Sequence, residues 1–368
     1  MLKYIFAFLM LMHGLIHLAG FAKAFGYGNF PQLTKEISKP SGSVWLLTAF
    51  LFIASILLFL LEKESWAVLA ILAAIISQVL IVAFWKDAKF GTIANIIILL
   101  VAIQGFAEND FNKMVRKEAV SMLAVPLPAK VIITKEMLAC LPGNVRQWLV
   151  HSGVIGKEQI HLVTLQQKGL LRTKPGSKWM SFTAAQYCRV DDPAFNWHAA
   201  VKMFPLITLN GRDKFENGRG EMTIKLWSLL NVADEGGDDK INSGTMIRFL
   251  SEIAWYPTAA LAGYIRWEAV HATTARATMS YRGITVAGIF NFTTDGDLLS
   301  FEADRYMVNG KQASLEKWLV EMTGYKYFNE IRIPYKCKVT WKLKTGDFNW
   351  ADIELTNLEF NKPAVFPY

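Results

Sequence analysis

Four long apolar runs within the first 107 residues, roughly 4–25, 44–61, 66–85 and 90–107, constrain this chain more than any other feature. Each is close to the ~17–25 residues that a helix needs to cross a bilayer. None of the last three carries a charged side chain between its ends. The first run follows Lys3, as the apolar core of a secretory signal would. However, His13 and His17 interrupt it, three further runs follow, and Gly20-Phe21-Ala22-Lys23-Ala24 is a poor cleavage site, so it reads as the first of four spans. The connections Glu62-Lys-Glu-Ser65 and Lys86-Asp-Ala-Lys-Phe-Gly91 are tight, which predicts an up-down-up arrangement of the last three. Trp45, Trp66 and Trp85 fall at the ends of runs, where an amphipathic ring favours the headgroup layer. The expected location is the cell membrane, multi-pass. Lysines and arginines divide evenly between the two sides of this topology, so the side that the rest of the chain faces stays open.

His13 and His17 are four apart and share one helix face. Their spacing admits two readings: a pair of metal or haem ligands, or hydrogen bonds across the bundle to Ser77, Gln78 or Asn95. No Glu, Asp or Cys in the other spans completes a metal site, so no cofactor is assigned. Gly14 and Gly20 are positioned to let a second helix approach closely.

The net charge of +8 belongs mainly to the second part of the chain. Up to residue 110 there are seven Lys or Arg against six Asp or Glu, which leaves +7 beyond it. A basic domain tethered to a bilayer is drawn to anionic headgroups. No run of Lys and Arg is dense enough for a nucleic-acid partner, and nothing specifies an oligomeric state. Cys140, Cys188 and Cys337 are odd in number and widely spaced, which fits neither a disulfide framework nor a metal site. Cys188 and Cys337 lie in strand-like runs, where a thiol acts as a small buried hydrophobe.

Beyond the apolar runs, residues 108–134 read as a connector stiffened by Pro126-Leu-Pro128. Residues 134–151 read as a helical pair broken at Pro142-Gly143. From His161 onward the period shifts towards two. In Ile331–Trp341 the odd positions are apolar and the even ones mainly charged or polar, the pattern of a half-buried strand. Further strands are expected at 160–173, 178–190, 195–208, 212–229, 266–281, 284–292, 298–308 and 348–360. Turn signals stand at Pro175-Gly176, Asp191–Pro193, Asn217-Gly218, Arg282-Gly283, Asp295-Gly296, Asn309-Gly310 and Thr345–Asp347. The acidic run Asp234–Asp239 reads as a solvated loop without calcium-loop spacing.

The expected class is α+β: a four-helix transmembrane bundle (1–107), the connector, and a curved antiparallel sheet domain (135–362), a half-barrel plugged by a helix. The plug is Met246–Pro257, whose apolar face (Ile247, Leu250, Ile253, Ala254) also carries Arg248 and Glu252 one turn apart. A buried carboxylate needs a partner, and Arg305 and Arg332, in strands flanked by apolar residues, can supply one. Arg248, Glu252, Trp255, Arg305 and Arg332 are therefore the candidate ligand-binding residues. They suit either an anionic headgroup or small acid held by arginine forks, or a salt-bridge network tying helix to sheet. No nucleophile elbow, zinc-protease motif or phosphate loop is present, and no catalytic residue is assigned. Three functions are compatible with this reading: a module that binds a lipid or other apolar small molecule, an enzyme acting on a lipid-like substrate through the Glu/Arg cluster, and a membrane protein that only binds partners.

Several motifs carry a resemblance to a known family. They are Asn217-Gly-Arg-Gly220-Glu-Met-Thr-Ile-Lys225, Arg248-Phe-Leu-Ser-Glu252-Ile-Ala-Trp255-Tyr-Pro257, Asp295-Gly296, Arg305-Tyr306, Arg332-Ile-Pro334 and Trp341. Together they resemble a widespread, mostly bacterial family of uncharacterised proteins, domain of unknown function number 6544, over roughly 120–362. Members with an added membrane region are similar in the His13-Gly-Leu-Ile-His17 segment as well. The resemblance implies a lipoprotein-carrier type of fold, a curved antiparallel sheet closed by helices around an apolar cavity. It implies no activity.

Overall fold

The apolar runs form helices because each is long enough to satisfy its backbone internally while presenting side chains to an apolar surrounding. In the computed structural model, which describes residues 1–204, 207–309 and 312–366, these are α1 (Leu2–Ala24), α2 (Lys39–Leu60) and α3 (Trp66–Ala83). After the single turn α4 (Trp85–Ala88) comes α5 (Gly91–Leu123). α1, α2, α3 and α5 are each long and apolar enough to cross a membrane. The chain divides into two compact units, Met1–Asn112 and Lys113–Tyr368, and each is described by itself.

Within the first unit, small residues set the helix spacing. A Cβ on Gly20 would come within 2.2 Å of the Trp45 ring, and one on Gly14 within 2.8 Å of Phe52 Cβ. Both glycines therefore let α2 close on α1. Trp45 and Trp66, expected at the headgroup layer, are instead buried. Trp45 fills the space above Gly20, and Trp66 packs edge-on against Phe6 and Phe59. Of the three, Trp85 is the exposed one.

The stretch 108–123, read as part of a connector, is the continuation of α5. Its last turns lie in the second unit, where Ala119, Met122 and Leu123 pack on Ala185, Tyr187 and Ala194. These three sheet residues face outward; the neighbouring Cys188 and Phe195 face inward to the main core.

The second unit is a single antiparallel sheet of thirteen strands among the described residues, built as two meanders. β1 (Leu162–Leu171), β2 (Met180–Arg189), β3 (Ala194–Phe204), β4 (Ile207–Glu216), β5 (Arg219–Leu226) and β6 (Leu230–Gly236) step outward to one edge. From the other edge β7 (Ile265–His271), β8 (Thr274–Tyr281), β9 (Ile284–Phe292), β10 (Leu298–Asn309), β11 (Gln312–Phe328), β12 (Ile331–Leu343) and β13 (Gly346–Phe360) step back to the middle. There β13 pairs with β1. Since β6 and β7 are the two edges, the segment joining them has to cross the whole sheet. That segment is α7 (Asp239–Glu252), followed by two 3-10 turns, Ile253–Trp255 and Pro257–Leu261. The plugged curved sheet expected from the sequence is thus the architecture found, and topology is its cause.

Strand boundaries differ from expectation in four places. The predicted strands 212–229 and 266–281 each contain a hairpin turn. Asn217 and Gly218 both take the left-handed conformation (φ 54° and 77°) that the tightest right-twisted hairpins demand. β6 forms where the acidic run was read as a loop, and Asp238 caps α7, its Oδ1 accepting from Ile241 N at 2.7 Å. β11 was not anticipated at all. The 134–151 pair is a short 3-10 turn (Glu136–Leu138) and α6 (Gly143–Ser152), which ends on left-handed Gly153. The Asn309-Gly310 turn lies outside the described residues.

The core lies between the inner face and the helices. Phe195 and Phe215 come from the first meander, Phe290 and Phe301 from the second, and Phe249 and Tyr256 from the crossing segment, all fully buried. The glycine of Asn217-Gly-Arg-Gly220 nearest β5 has a packing role. A Cβ there would sit 2.3 Å from Thr245 Oγ1 and 2.9 Å from the Ile241 carbonyl oxygen, so a bare backbone is what allows α7 to rest on the strand.

Candidate binding site

α7 presents Arg248 and Glu252 to the inner face because the helix repeat puts them one turn apart on the side that also buries Phe249 and Ile253. The helix ends at Glu252, and Pro257 opens the second of the two 3-10 turns that follow it. The Arg248 guanidinium lies between Phe195 and Trp197, with ring centroids at 4.8 and 4.9 Å. It spreads its donors over three acceptors: Nε to Glu252 Oε1 at 2.7 Å, Nη1 to Asp213 Oδ2 at 2.5 Å and Nη2 to Gln186 Oε1 at 2.9 Å. Gln186 Nε2 in turn donates to Glu252 Oε2 at 2.5 Å. Burial works against the charge of Arg248, yet Glu252 and Asp213 hold its guanidinium above its ordinary value. Arg248 faces two carboxylates: both oxygens of Glu252 are engaged, while Asp213 Oδ1 is buried without a hydrogen-bond partner among the described residues.

Arg305 on β10 is in a different position. Its Nε donates to the Gly244 carbonyl oxygen at 3.1 Å, and its guanidinium stacks over Trp318 at 4.8 Å and near Trp341 at 5.8 Å. Among the described residues no carboxylate forms an ion pair with it. Burial pulls its pKa down to about 10, with Arg248 adding to that effect and Asp213 opposing it. At neutral pH it is therefore a charged group with free donors.

Both arginines border a cavity of about 500 Å³ between α7 and the inner face. Glu252 and Trp255 line it too, with Trp197, Trp341, Met322 and Phe348 supplying apolar wall. This size and lining are typical of small-molecule sites. Gln167 Nε2 and the indole nitrogens of Trp318 and Trp350, on residues of the same wall, are buried without a hydrogen-bond partner among the described residues. A buried donor left unpaired costs about 1–3 kcal/mol; with Asp213 Oδ1 as the one unpaired acceptor among the described residues of this wall, unpaired donors outnumber acceptors.

Four of the five candidate residues, Arg248, Glu252, Trp255 and Arg305, thus come together. Arg332 does not. Its Nε and Nη2 form a fork on Asp297 at 2.9 and 2.8 Å, its guanidinium lies 4.5 Å from the Tyr325 ring, and His151 also approaches Asp297. The partners that complete the Arg248 cluster, Asp213 and Gln186, were not singled out in the sequence. Both sit on the inward side of strands at positions where alternation calls for an apolar residue, and that break in pattern was the available signal.

The α1 histidines belong to a separate network in the first unit. His17 Nδ1 donates to the His13 carbonyl oxygen at 2.8 Å, which leaves its Nε2 to accept from Ser77 Oγ at 3.0 Å. His13 Nε2 meets Asn95 Oδ1 at 2.8 Å, and Asn95 Nδ2 donates to Ser77 Oγ and Gln78 Oε1. This is the hydrogen-bonded reading of the pair. Among the described residues no group of three or more His, Cys, Asp or Glu gathers as a metal site. The three cysteines are free; Cys188 and Cys337 are buried, and burial pushes the Cys337 thiol up to about 12.

The geometry defines a class: an α+β protein with four membrane-length helices and an open antiparallel sheet covered by a helix over a cavity. The family of unknown function DUF6920 matches residues 139–360, and the chain belongs to it. The motif resemblance had pointed to family number 6544; the matching family is this one instead. Two solved structures are similar in part. The LolA superfamily protein NE2245 from Nitrosomonas europaea aligns at 9% identity over 59% of this chain and 94% of its own, with a TM-score of 0.32. A putative outer membrane lipoprotein-sorting protein domain from Vibrio parahaemolyticus aligns at 9% identity over 59% and 91%, with a TM-score of 0.27. At such scores neither likeness carries an argument. No curated protein matches the chain.

Proposed function

We propose that this protein is a membrane-anchored binding module whose sheet domain holds an amphipathic small molecule of the lipid class. The apolar part of the ligand lies along the tryptophan-lined wall, and an anionic or ester-rich head meets Arg305. The observation that carries this reading is a stacked, charged guanidinium without a carboxylate partner on the wall of an apolar 500 Å³ cavity. Arg248, Asp213, Glu252 and Gln186 form the polar wall beside it and set the position of α7, while Trp255 adds apolar wall. The surplus of buried donors supports a ligand rich in oxygen acceptors. The four membrane-length helices support a bilayer as the place where such a ligand is met. An enzyme acting through Glu252 has less support, because both oxygens of that carboxylate are already bound.

The test is native mass spectrometry of the full-length protein released from mild detergent, followed by lipid extraction. A stoichiometric bound species is expected. In Arg305→Leu, uptake of a fluorescent fatty acid should weaken by roughly 10–100-fold, the range for one charge-assisted hydrogen-bonding contact. A wild-type protein that is empty and also refuses the probe would remove the binding reading. A variant that binds as tightly as wild type would remove Arg305 from it.

A further inference from the structure

One end of the sheet carries an unusual combination of side chains. β1, β3 and β5 run in the same direction, so the turns that follow them fall at the same end. The pairings Leu171–Met180, Phe204–Ile207 and Leu226–Leu230 mark them. In the sequence, the stretches 170–183, 199–211 and 222–233 contain no Asp or Glu at all, yet carry Arg172, Lys174, Lys178, Lys202 and Lys225. A chain with 31 acidic residues has left three adjacent turns free of them.

The same turns expose large apolar side chains. Phe204 is 61% exposed and Leu230 64%, and Trp179, Trp227, Leu229 and Val232 are exposed beside them. Arg172 lies over the Trp179 ring at 4.5 Å, so a cation and an amphipathic ring are presented together. The nearest carboxylates lie on neighbouring strands, Asp352 opposite Leu170 and Asp347 paired with Lys342; the tips themselves set exposed apolar side chains beside Arg172, Lys174, Lys178 and Lys202, a combination that matches an anionic membrane surface. Lysines are attracted to its headgroups, tryptophan favours the interfacial layer, and leucine and phenylalanine enter the acyl boundary. A protein partner would need carboxylates facing every turn. A bilayer offers negative charge everywhere, and the chain's own helices are long enough to hold it at one. Leu171, Arg172 and Thr173 also line the cavity, so this end borders the ligand space.

We infer that the β1–β2 and β5–β6 turns, with Lys202 and Phe204 at the end of β3 between them, form a docking face for an anionic lipid bilayer. The inference rests on the composition and exposure of these turns and holds whether or not the cavity is filled, so its test is independent of ligand binding.

The measurement is hydrogen–deuterium exchange on the full-length protein in two nanodiscs, one of phosphatidylcholine alone and one of phosphatidylcholine mixed with anionic phosphatidylglycerol. Amides of 170–179 and 225–230 are expected to exchange more slowly in the anionic disc, while the Asn217-Gly218 turn at the other end of the same strands stays unchanged. Added salt should weaken the protection, because the attraction is screened. Lys174, Lys178 and Lys202 are exposed, so the K174E/K178E/K202E variant should fold and lose at least ~10-fold of the protection. Equal exchange in both discs overturns the proposal. So does protection that survives charge reversal, or protection already present in lipid-free detergent together with a doubled mass, which would make a second copy of the chain the occupant.

Discussion

Replacing Arg248 with methionine isolates what the Arg248 cluster does. The substitution keeps most of the side-chain volume against Phe195 and Trp197 but removes three donors. Asp213 and Glu252 are then left on one wall with no cation between them, Glu252 having a side chain only 7% exposed. Breaking a buried ion pair from one side costs about 3–5 kcal/mol, because a desolvated charge remains. The second carboxylate places Arg248→Met at the upper end of that range. For a unit of this size each kcal/mol moves the melting temperature by about 2–4 °C, so a drop of more than ~10 °C is expected. The assay is thermal unfolding of full-length protein in one detergent, read by near-ultraviolet circular dichroism, which reports the buried tryptophans. The compensated variant Arg248→Met/Asp213→Asn/Glu252→Gln carries no stranded charge and should recover at least half of the loss. If the single variant melts within ~3 °C of wild type, or the triple variant is no better than the single, the three charges are solvated and are not held together as a buried cluster.

Two further outcomes follow from the outer face and from the seat of α7. His198 is buried on β3, and burial pulls its pKa down to about 4. The unfolded chain binds this proton near pH 6.5, so the stability linked to it is complete above that value and is lost as pH falls towards 4, to a limit of about 3 kcal/mol. Replacing His198 with glutamine should flatten the melting temperature between pH 6.5 and 4 relative to wild type; an unchanged slope would assign the acid sensitivity elsewhere. Gly220→Ala should destabilise by about 1–3 kcal/mol, since the new methyl group meets a backbone carbonyl that cannot rotate away. Thr245→Ala added to it should recover only part of that loss, and a Gly220→Ala protein as stable as wild type would mean α7 is not seated on β5 as described.

The candidate site was legible in sequence to the extent that local rules govern it. Arg248 and Glu252 share a face because the helix repeat requires it, and Arg305 points inward because Phe301 and Ala303 alternate with it along one strand. Their partners were not legible. Arg305 was expected to neutralise Glu252, but Nε of Arg305 goes to a backbone carbonyl, and Gln186 and Asp213 hold the pair. Arg332 stands at an even position of its strand, the polar side of the alternation, and emerges beside Asp297, 35 residues away in sequence, where a fork on one carboxylate satisfies it. β11 escaped notice for a related reason. Trp318, Val320 and Met322 share one face, but Leu319 breaks the polar alternation of the other, and a strand of 17 residues owes its length to β10 and β12 on either side, a support absent from its own sequence.

Helix length, apolar runs and the left-handed turn at Asn217-Gly218 are properties of a few consecutive residues, and local sterics and solvation decide them wherever the chain is placed. The two meanders, the pairing of β1 with β13 and the crossing of α7 from edge to edge join residues hundreds of positions apart. Only the packed sheet decides these, because the energy of such a contact depends on register and on which neighbour arrives. The cavity follows from that second kind of information. It is the space left when a helix obliged to cross a sheet rests on Gly220 at one side and ends at Glu252, with Arg305 on its wall and, among the described residues, no acid in an ion pair with it.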